Sequence, residues 1–497
     1  MRPRRAALAA LAVLALAACG DDGGPTLEAD PEPTTDETGT TLAETTTAPV
    51  DDPLGGFTPA PIEWEDCGSI ECATVEVPLD WSDVAGPTID IAVARDPAGD
   101  DDAPPGFLAY NLGGPGAEGV SSVDAGIFEE PLSDRFDIVS WDPRGVGESE
   151  PLSCGDAVDP FLDADPDPDD ATEQSELDAL AEAVATECGE EDGEILGHVG
   201  TDDVARDLEA IRRAYGEPMS YVGFSYGTLI GLRYAELFPT GAEGIVLDGV
   251  VDPDQPLTEL LRGQAIGFEA VIDEAFAQCP AGAEGCPDGG ASASYDRLAV
   301  RVDEEPIPAS GGGSLGPAQL TRAVILAGYD EQYWPLLSDG LAAAEDGDST
   351  ILVELADAYD ELTAFTPYQA VSCLDSINPS GAEAWATFAA ELDALSPRFG
   401  AAAANEMLPC AFWPVASRPV TGEVRAAGSP PILVVGTTGD AATPLAQAER
   451  VAATLADGHL LVHEGHAHTA YGRVDCIDDA VHDYLLDGAL PPDGTVC

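Results

Sequence analysis

Between Thr201 and Gly249 the apolar positions change their period twice. Val204, Leu208, Ile211 and Tyr215 recur at helical spacing, which predicts a helix that Thr201 can cap and Gly216 can end. A short apolar run from Met219 follows and predicts a buried strand. It closes in Gly223-Phe224-Ser225-Tyr226-Gly227, and an amphipathic stretch reaching Pro239 begins at once. Gly244-Ile245-Val246-Leu247-Asp248-Gly249 predicts another buried strand. Helix, strand, helix, strand is the alternation of a parallel α/β sheet. Similar runs predict strands at residues 107–112, 136–141 and 431–436, with a last one at Leu460-Leu461-Val462.

The junction at Ser225 has the form G-x-S-x-G between a strand and a helix, the nucleophile elbow. The turn is too tight for side chains at 223 and 227. It lifts the Ser225 hydroxyl clear of the sheet and beside a helix N-terminus, whose dipole favours developing negative charge. A serine nucleophile needs a base, an acid to orient the base, and donors for the oxyanion. The run at 107–112 opens into Gly113-Gly114-Pro115-Gly116, where absent side chains let backbone amides approach a ligand. The oxyanion donors are therefore expected to be the N–H of Tyr226 and that of Gly113 or Gly114. Two acids follow strands in suitable chain order, Asp440 and Asp248. Asp440 is preferred because it lies shortly before the histidines. Three of the six histidines crowd one loop: His463, His466 and His468. The pattern His-x-x-His-x-His also suits a metal, but no second cluster matches it, so no metal or cofactor is expected. Asp142 and Arg144, after the strand at 136–141, are expected to pair and brace the site.

The N-terminus is a targeting segment. Arg2, Arg4 and Arg5 precede an apolar core, Ala6 to Ala18, too short to span a bilayer. Leu16-Ala17-Ala18-Cys19-Gly20 resembles the bacterial lipobox, so residues 1–18 read as a lipoprotein signal and Cys19 as the lipidation site. Residues 19–60 are rich in Thr, Pro, Asp and Glu and read as a disordered tether. Ten cysteines remain, an even number in an exported chain. Their spacing suggests disulfides Cys67–Cys72, Cys154–Cys188, Cys279–Cys286, Cys373–Cys410 and Cys476–Cys497.

The chain holds 93 acidic residues against 19 basic ones, all arginine, for a formal net charge of −74. Nucleic acid is excluded as a partner, because neutralising phosphates needs a basic face. The same charge repels anionic membranes, which leaves the lipid at Cys19 as the only membrane contact. An acidic, lysine-free composition suggests a protein that works in high salt. The part after the tether is more than one hydrophobic core usually takes, so a main domain with a large insertion is expected. The Asp-Pro run from Asp163 to Asp170 and Gly311-Gly312-Gly313 read as surface loops.

Taken jointly, Gly113-Gly114-Pro115-Gly116, Trp141-Asp142-Pro143-Arg144-Gly145-x-Gly147-x-Ser149, the elbow, and His468-Thr469-Ala470-Tyr471-Gly472 ahead of Cys476 resemble the secreted tripeptidyl aminopeptidases of actinobacteria. These are α/β-hydrolases related to prolyl aminopeptidase. The resemblance implies a mainly parallel sheet in two portions, residues 61–252 and 426–497, with a mainly helical cap at 253–425. It places the catalytic histidine on His468, with His466 in reserve. It implies that Tyr329, Tyr333-Trp334 and Cys373-Leu374-Asp375 line the substrate pocket. One departure is Ala117-Glu118-Gly119, which puts a carboxylate near the oxyanion loop. Glu118, Glu331 and Asp375 are candidates to hold a substrate ammonium, although Glu118 is better read as facing solvent. The expected activity is release of short peptides, tripeptides in the family, from free N-termini through an acyl-enzyme on Ser225. The alternatives are a carboxylesterase or lipase with the same residues, and a non-catalytic surface lipoprotein that binds peptides.

Overall fold

The apolar runs form strands that are buried on both faces because helices cover both sides of the sheet. The computed structural model describes residues 52–100, 106–283, 285–492 and 494–497. The signal segment, nearly all of the tether, and Cys19 lie outside the described residues. Nine strands make one sheet: β1 Glu65–Asp66, β2 Glu71–Pro78, β3 Thr88–Asp96, β4 Phe107–Asn111, β5 Asp137–Trp141, β6 Met219–Phe224, β7 Ile245–Asp248, β8 Ile432–Thr437 and β9 Gly458–His463. Their spatial order is β1-β2-β3-β5-β4-β6-β7-β8-β9. The first three pair antiparallel, β3 joins β5 antiparallel, and every later pairing is parallel. This is the α/β-hydrolase fold. The C-terminal ends of β4, β6, β7, β8 and β9 lie on one edge, where open α/β sheets place their ligands.

The helix Thr201–Tyr215 forms as its period predicts, with Val204, Leu208 and Ile211 buried. Asp202 and Asp203 lie at its positive end and Arg212 and Arg213 at its negative end, and Gly216 closes it at φ 83°. Thr201 does not cap it. Gly200 occupies the cap position, and the Thr201 hydroxyl turns inward to Tyr226 and Asp375.

Residues 249–431, between β7 and β8, are mainly helical, with one short hairpin pairing Ile307–Pro308 with Ser314–Leu315. Part of this cap builds its own core around Phe268, Leu320, Val324, Trp334 and Leu341. Ala370, Cys373, Leu374, Trp385 and Leu408 instead pack into the core under the sheet, so the insertion is half merged with the main body. All five expected disulfides are present.

Asp142 and Arg144 do not pair. Arg144 is fully buried and forms a two-pronged pair with Asp207 at 2.6 and 2.7 Å, and it also donates to the carbonyls of Pro78, Leu79 and His198. A guanidinium with five donors needs this many acceptors when water is excluded. Asp142 accepts the amides of Gly119, Val120 and Glu148 and so ties the segment after the glycine loop to the loop after β5. The Asp163–Asp170 run is not purely a surface loop either, since Ala164 and Pro166 line the main cavity.

Candidate active site

Ser225 stands between β6 and the helix Tyr226–Leu237 with φ 53° and ψ −126°, a conformation a non-glycine residue adopts only when its surroundings impose it. The glycines flanking it are steric necessities. A Cβ on Gly223 would lie 2.4 Å from the carbonyl oxygen of Gly227, and one on Gly227 would lie 2.4 Å from that of Asn111. The glycine loop after β4 packs against the same turn. A Cβ on Gly113 would meet Ser225 Cβ at 2.8 Å and the Tyr226 nitrogen at 2.9 Å. The Gly113 N–H is engaged by Asn111 Oδ1 at 3.0 Å. Among the described residues no acceptor takes the N–H of Gly114 or of Tyr226, so the available pair is Gly114 and Tyr226.

His468 Nδ1 lies 2.9 Å from Asp440 Oδ2 and 3.1 Å from Oδ1. Asp440 is buried, and it accepts the amides of Ala442 and Thr443 on Oδ1 and the Thr443 hydroxyl on Oδ2. These donors fix the carboxylate plane before the imidazole arrives. Burial works against a charged His468, but the Asp440 carboxylate outweighs it and holds the imidazole above its usual 6.5. Asp248, the other acid considered, does not reach the ring nitrogens. Its Oδ2 accepts the amides of Ala470 and Tyr471, just after the histidine.

Ser225, Gly114 and Tyr226 open onto a cavity of about 230 Å³ beneath the cap. Its walls are largely apolar and aromatic, including Phe161, Phe268 and Tyr329, with three carboxylates among them: Asp252, which pairs with Arg450 at 2.8 Å, Asp375 and Glu406. Asp375 Oδ2 accepts the Thr201 amide at 2.8 Å and hydroxyl at 2.6 Å. Withdrawal from solvent still pushes its carboxyl up to about 7, against those bonds. Glu406 is also pushed up to about 7 by withdrawal from solvent, and Arg322 opposes this only at longer range. Among the described residues no hydrogen bond or ion pair reaches the Glu406 carboxylate, and the hydroxyls of Tyr329, Tyr359 and Tyr368 beside it are likewise unpaired.

Residues 396–497 match the family described as TAP-like protein, and residues 112–285 match the α/β hydrolase fold family. Serine protease Hip1 of Mycobacterium tuberculosis is 32% identical over 477 residues, covering 88% of this chain and 91% of the relative. The tripeptidyl aminopeptidase of Streptomyces coelicolor is 32% identical over 478 residues, covering 88% and 86%. The chain belongs to the tripeptidyl aminopeptidase family of α/β-hydrolases. It is a serine peptidase. A further relative, carboxylesterase B of M. tuberculosis, is 34% identical over 494 residues, covering 90% and 93%. Among solved structures, a proline iminopeptidase of Mycobacterium smegmatis aligns over 84% of this chain and 98% of its own at 15% identity, with a TM-score of 0.41.

In this tripeptidyl aminopeptidase relative the remaining predicted residues separate cleanly. His466 does not meet Asp440; its Nε2 lies 3.0 Å from Glu274 and its ring 5.3 Å from that of Trp334. His463 ends β9 and packs over Gly465. Glu118 is exposed and accepts the Ser121 hydroxyl at 3.1 Å, away from the cavity. Glu331 is exposed and borders a separate hollow with Trp334 and His466. Of the three ammonium candidates only Asp375 lines the cavity. Glu406 was missed because one acid among 93 carries no local mark. Its one sequence signal is proximity to Cys410, whose disulfide partner Cys373 precedes Asp375.

Proposed function

We propose that this peptidase works outside the cytoplasm, anchored through a lipid on Cys19, and removes short peptides from free N-termini. The observation that carries the reading is the cavity that joins Ser225, in apolar walls, to Asp375 and Glu406, neither of which has an ion-pair partner among the described residues. A carboxylate withdrawn from solvent without a counter-charge is costly, and a substrate ammonium is the natural partner. In the proposed reaction His468 takes the proton of Ser225 as its oxygen attacks the scissile carbonyl. Asp440 orients the imidazole and stabilises the imidazolium. The N–H groups of Gly114 and Tyr226 hold the oxyanion. His468 then protonates the leaving amine, and water cleaves the acyl-enzyme by the same steps in reverse. Extracytoplasmic placement is supported by five disulfides, which persist in oxidising compartments.

A carboxylesterase relative at 34% identity favours a second reading, ester hydrolysis by the same residues. The deciding experiment compares wild type with Ser225→Ala on tripeptidyl amides, their N-acetyl forms and nitrophenyl esters, in high salt. The aminopeptidase reading expects cleavage of free-amine peptides, little of the acetylated forms, and loss of both activity and fluorophosphonate labelling in the variant. Ester turnover with no peptide cleavage would replace it with the second reading.

A further inference from the structure

Asp248 is wholly buried, yet the steps above leave it without a role. Its backbone and side chain grip two parts of the site. The main-chain carbonyl accepts the N–H of Ser225 at 2.9 Å. The side-chain Oδ2 accepts the N–H of Ala470 at 2.9 Å and of Tyr471 at 2.8 Å. Those two amides lie two and three residues after His468. The residue between, Thr469, is held at φ 68°, which a β-branched residue adopts only under constraint. Next to Asp248, Gly249 has φ 70°, and a Cβ there would lie 3.1 Å from His468 Cε1 and 3.2 Å from Thr443 Oγ1. The imidazole therefore lies directly over Gly249.

The choice of an acid at 248 needs a reason. An asparagine carbonyl would accept both amides with far less desolvation. Here the second oxygen, Oδ1, is buried with no hydrogen-bond partner. A buried carboxylate left half-satisfied is expensive unless a positive charge forms nearby. The charge available is the imidazolium of His468. The charged groups that act on His468 are Asp440 from the loop after β8, Asp248 from β7, and Arg473 from its own loop; the Tyr329 ring covers it from the cap. Burial pushes the Asp248 carboxyl up to about 6, and its bonds from Ala470 and Tyr471 resist this.

We propose that Asp248 is a positioning residue for His468: it clamps the loop so that the imidazole lies over Gly249, and its charge supports the imidazolium formed when Ser225 loses its proton. The inference rests on His468 being the base. The test measures kcat and KM against pH for wild type, Asp248→Asn and His468→Ala. Activity surviving in His468→Ala would remove the base reading itself. With that control inactive, Asp248→Asn is expected to lower kcat roughly ten-fold with KM within about two-fold. The acid limb of its profile should move to lower pH, because the imidazole loses a charge that helps retain its proton. A profile and kcat that superimpose on wild type would overturn the proposal. Should the variant not fold, NMR of histidine-labelled wild type decides. A second titration step in the His468 resonances, besides that of the imidazole itself, supports the charge coupling, and a single step refutes it.

Discussion

The main-chain N–H of His468 donates to the carbonyl of Tyr329 at 2.7 Å. Tyr329 ends a cap helix, Pro317–Tyr329, and its ring stands edge-on to the imidazole at 5.4 Å. Glu331 N–H returns the bond to the His466 carbonyl at 3.1 Å, and the buried Asp330 pairs with Arg473. The loop that carries His468 is thus laced to a wall of the cavity onto which Ser225 opens. Arg473→Gln is expected to lower kcat/KM about three- to ten-fold while costing about 1 kcal/mol of stability or less, since Arg473 is partly exposed. Steady-state kinetics with a denaturant melt checks this; unchanged kinetics would show that the lacing does not matter for turnover.

Glu406→Gln and Asp375→Asn are each expected to raise KM for free-amine peptides by roughly ten-fold, the scale of one charge-assisted contact. N-acetyl peptides and small esters should be unaffected. A variant that slows all substrates equally would place its acid in the general architecture instead.

The same acids set a pH dependence of stability. Each holds its proton more tightly in the fold, at about 7, than in the unfolded chain, where the values are 3.8 and 4.5. The stability they contribute is present at low pH and is lost as pH rises through about 7. Glu406→Gln should therefore melt above wild type at pH 8, and the gap should narrow at pH 5. Calorimetry at the two pH values is the check, and a gap that widens at pH 5 contradicts it.

The Cys373–Cys410 disulfide joins the segments that carry Asp375 and Glu406. Replacing both cysteines with alanine is expected to cost about 2–4 kcal/mol of unfolding free energy. It should raise KM for free-amine peptides more than it lowers kcat, because the two acids lose their common tie. A stability loss with KM unchanged would make the bond purely structural.

A net charge of −74 with no lysine makes self-repulsion a large term. Raising NaCl from about 0.1 M to about 1 M shortens the Debye length from about 10 Å to about 3 Å. Melting temperature and activity are expected to rise over that range. A flat or falling melting curve would count against a high-salt adaptation.

Some of this was written locally in the chain. The elbow at Ser225 is legible because glycines at 223 and 227 are demanded by atoms within a few residues or on the next strand. The strands at 107–111, 219–224 and 432–437 are legible because burial on both faces leaves continuous apolar runs. The spacing of the cysteines likewise suggested the five disulfide pairs that the fold forms. What the tertiary structure decided concerns choices among like residues. Asp440 rather than Asp248 meets His468, Gly114 rather than Gly113 keeps a free amide, and Arg144 takes Asp207 rather than Asp142. Glu406 surfaces among 93 acids only once the cap that carries it closes the cavity. The physical reason is common to all four. Which carboxylate or amide loses water, and what then faces it, depends on elements far apart in the chain, and no residue's own neighbours record that.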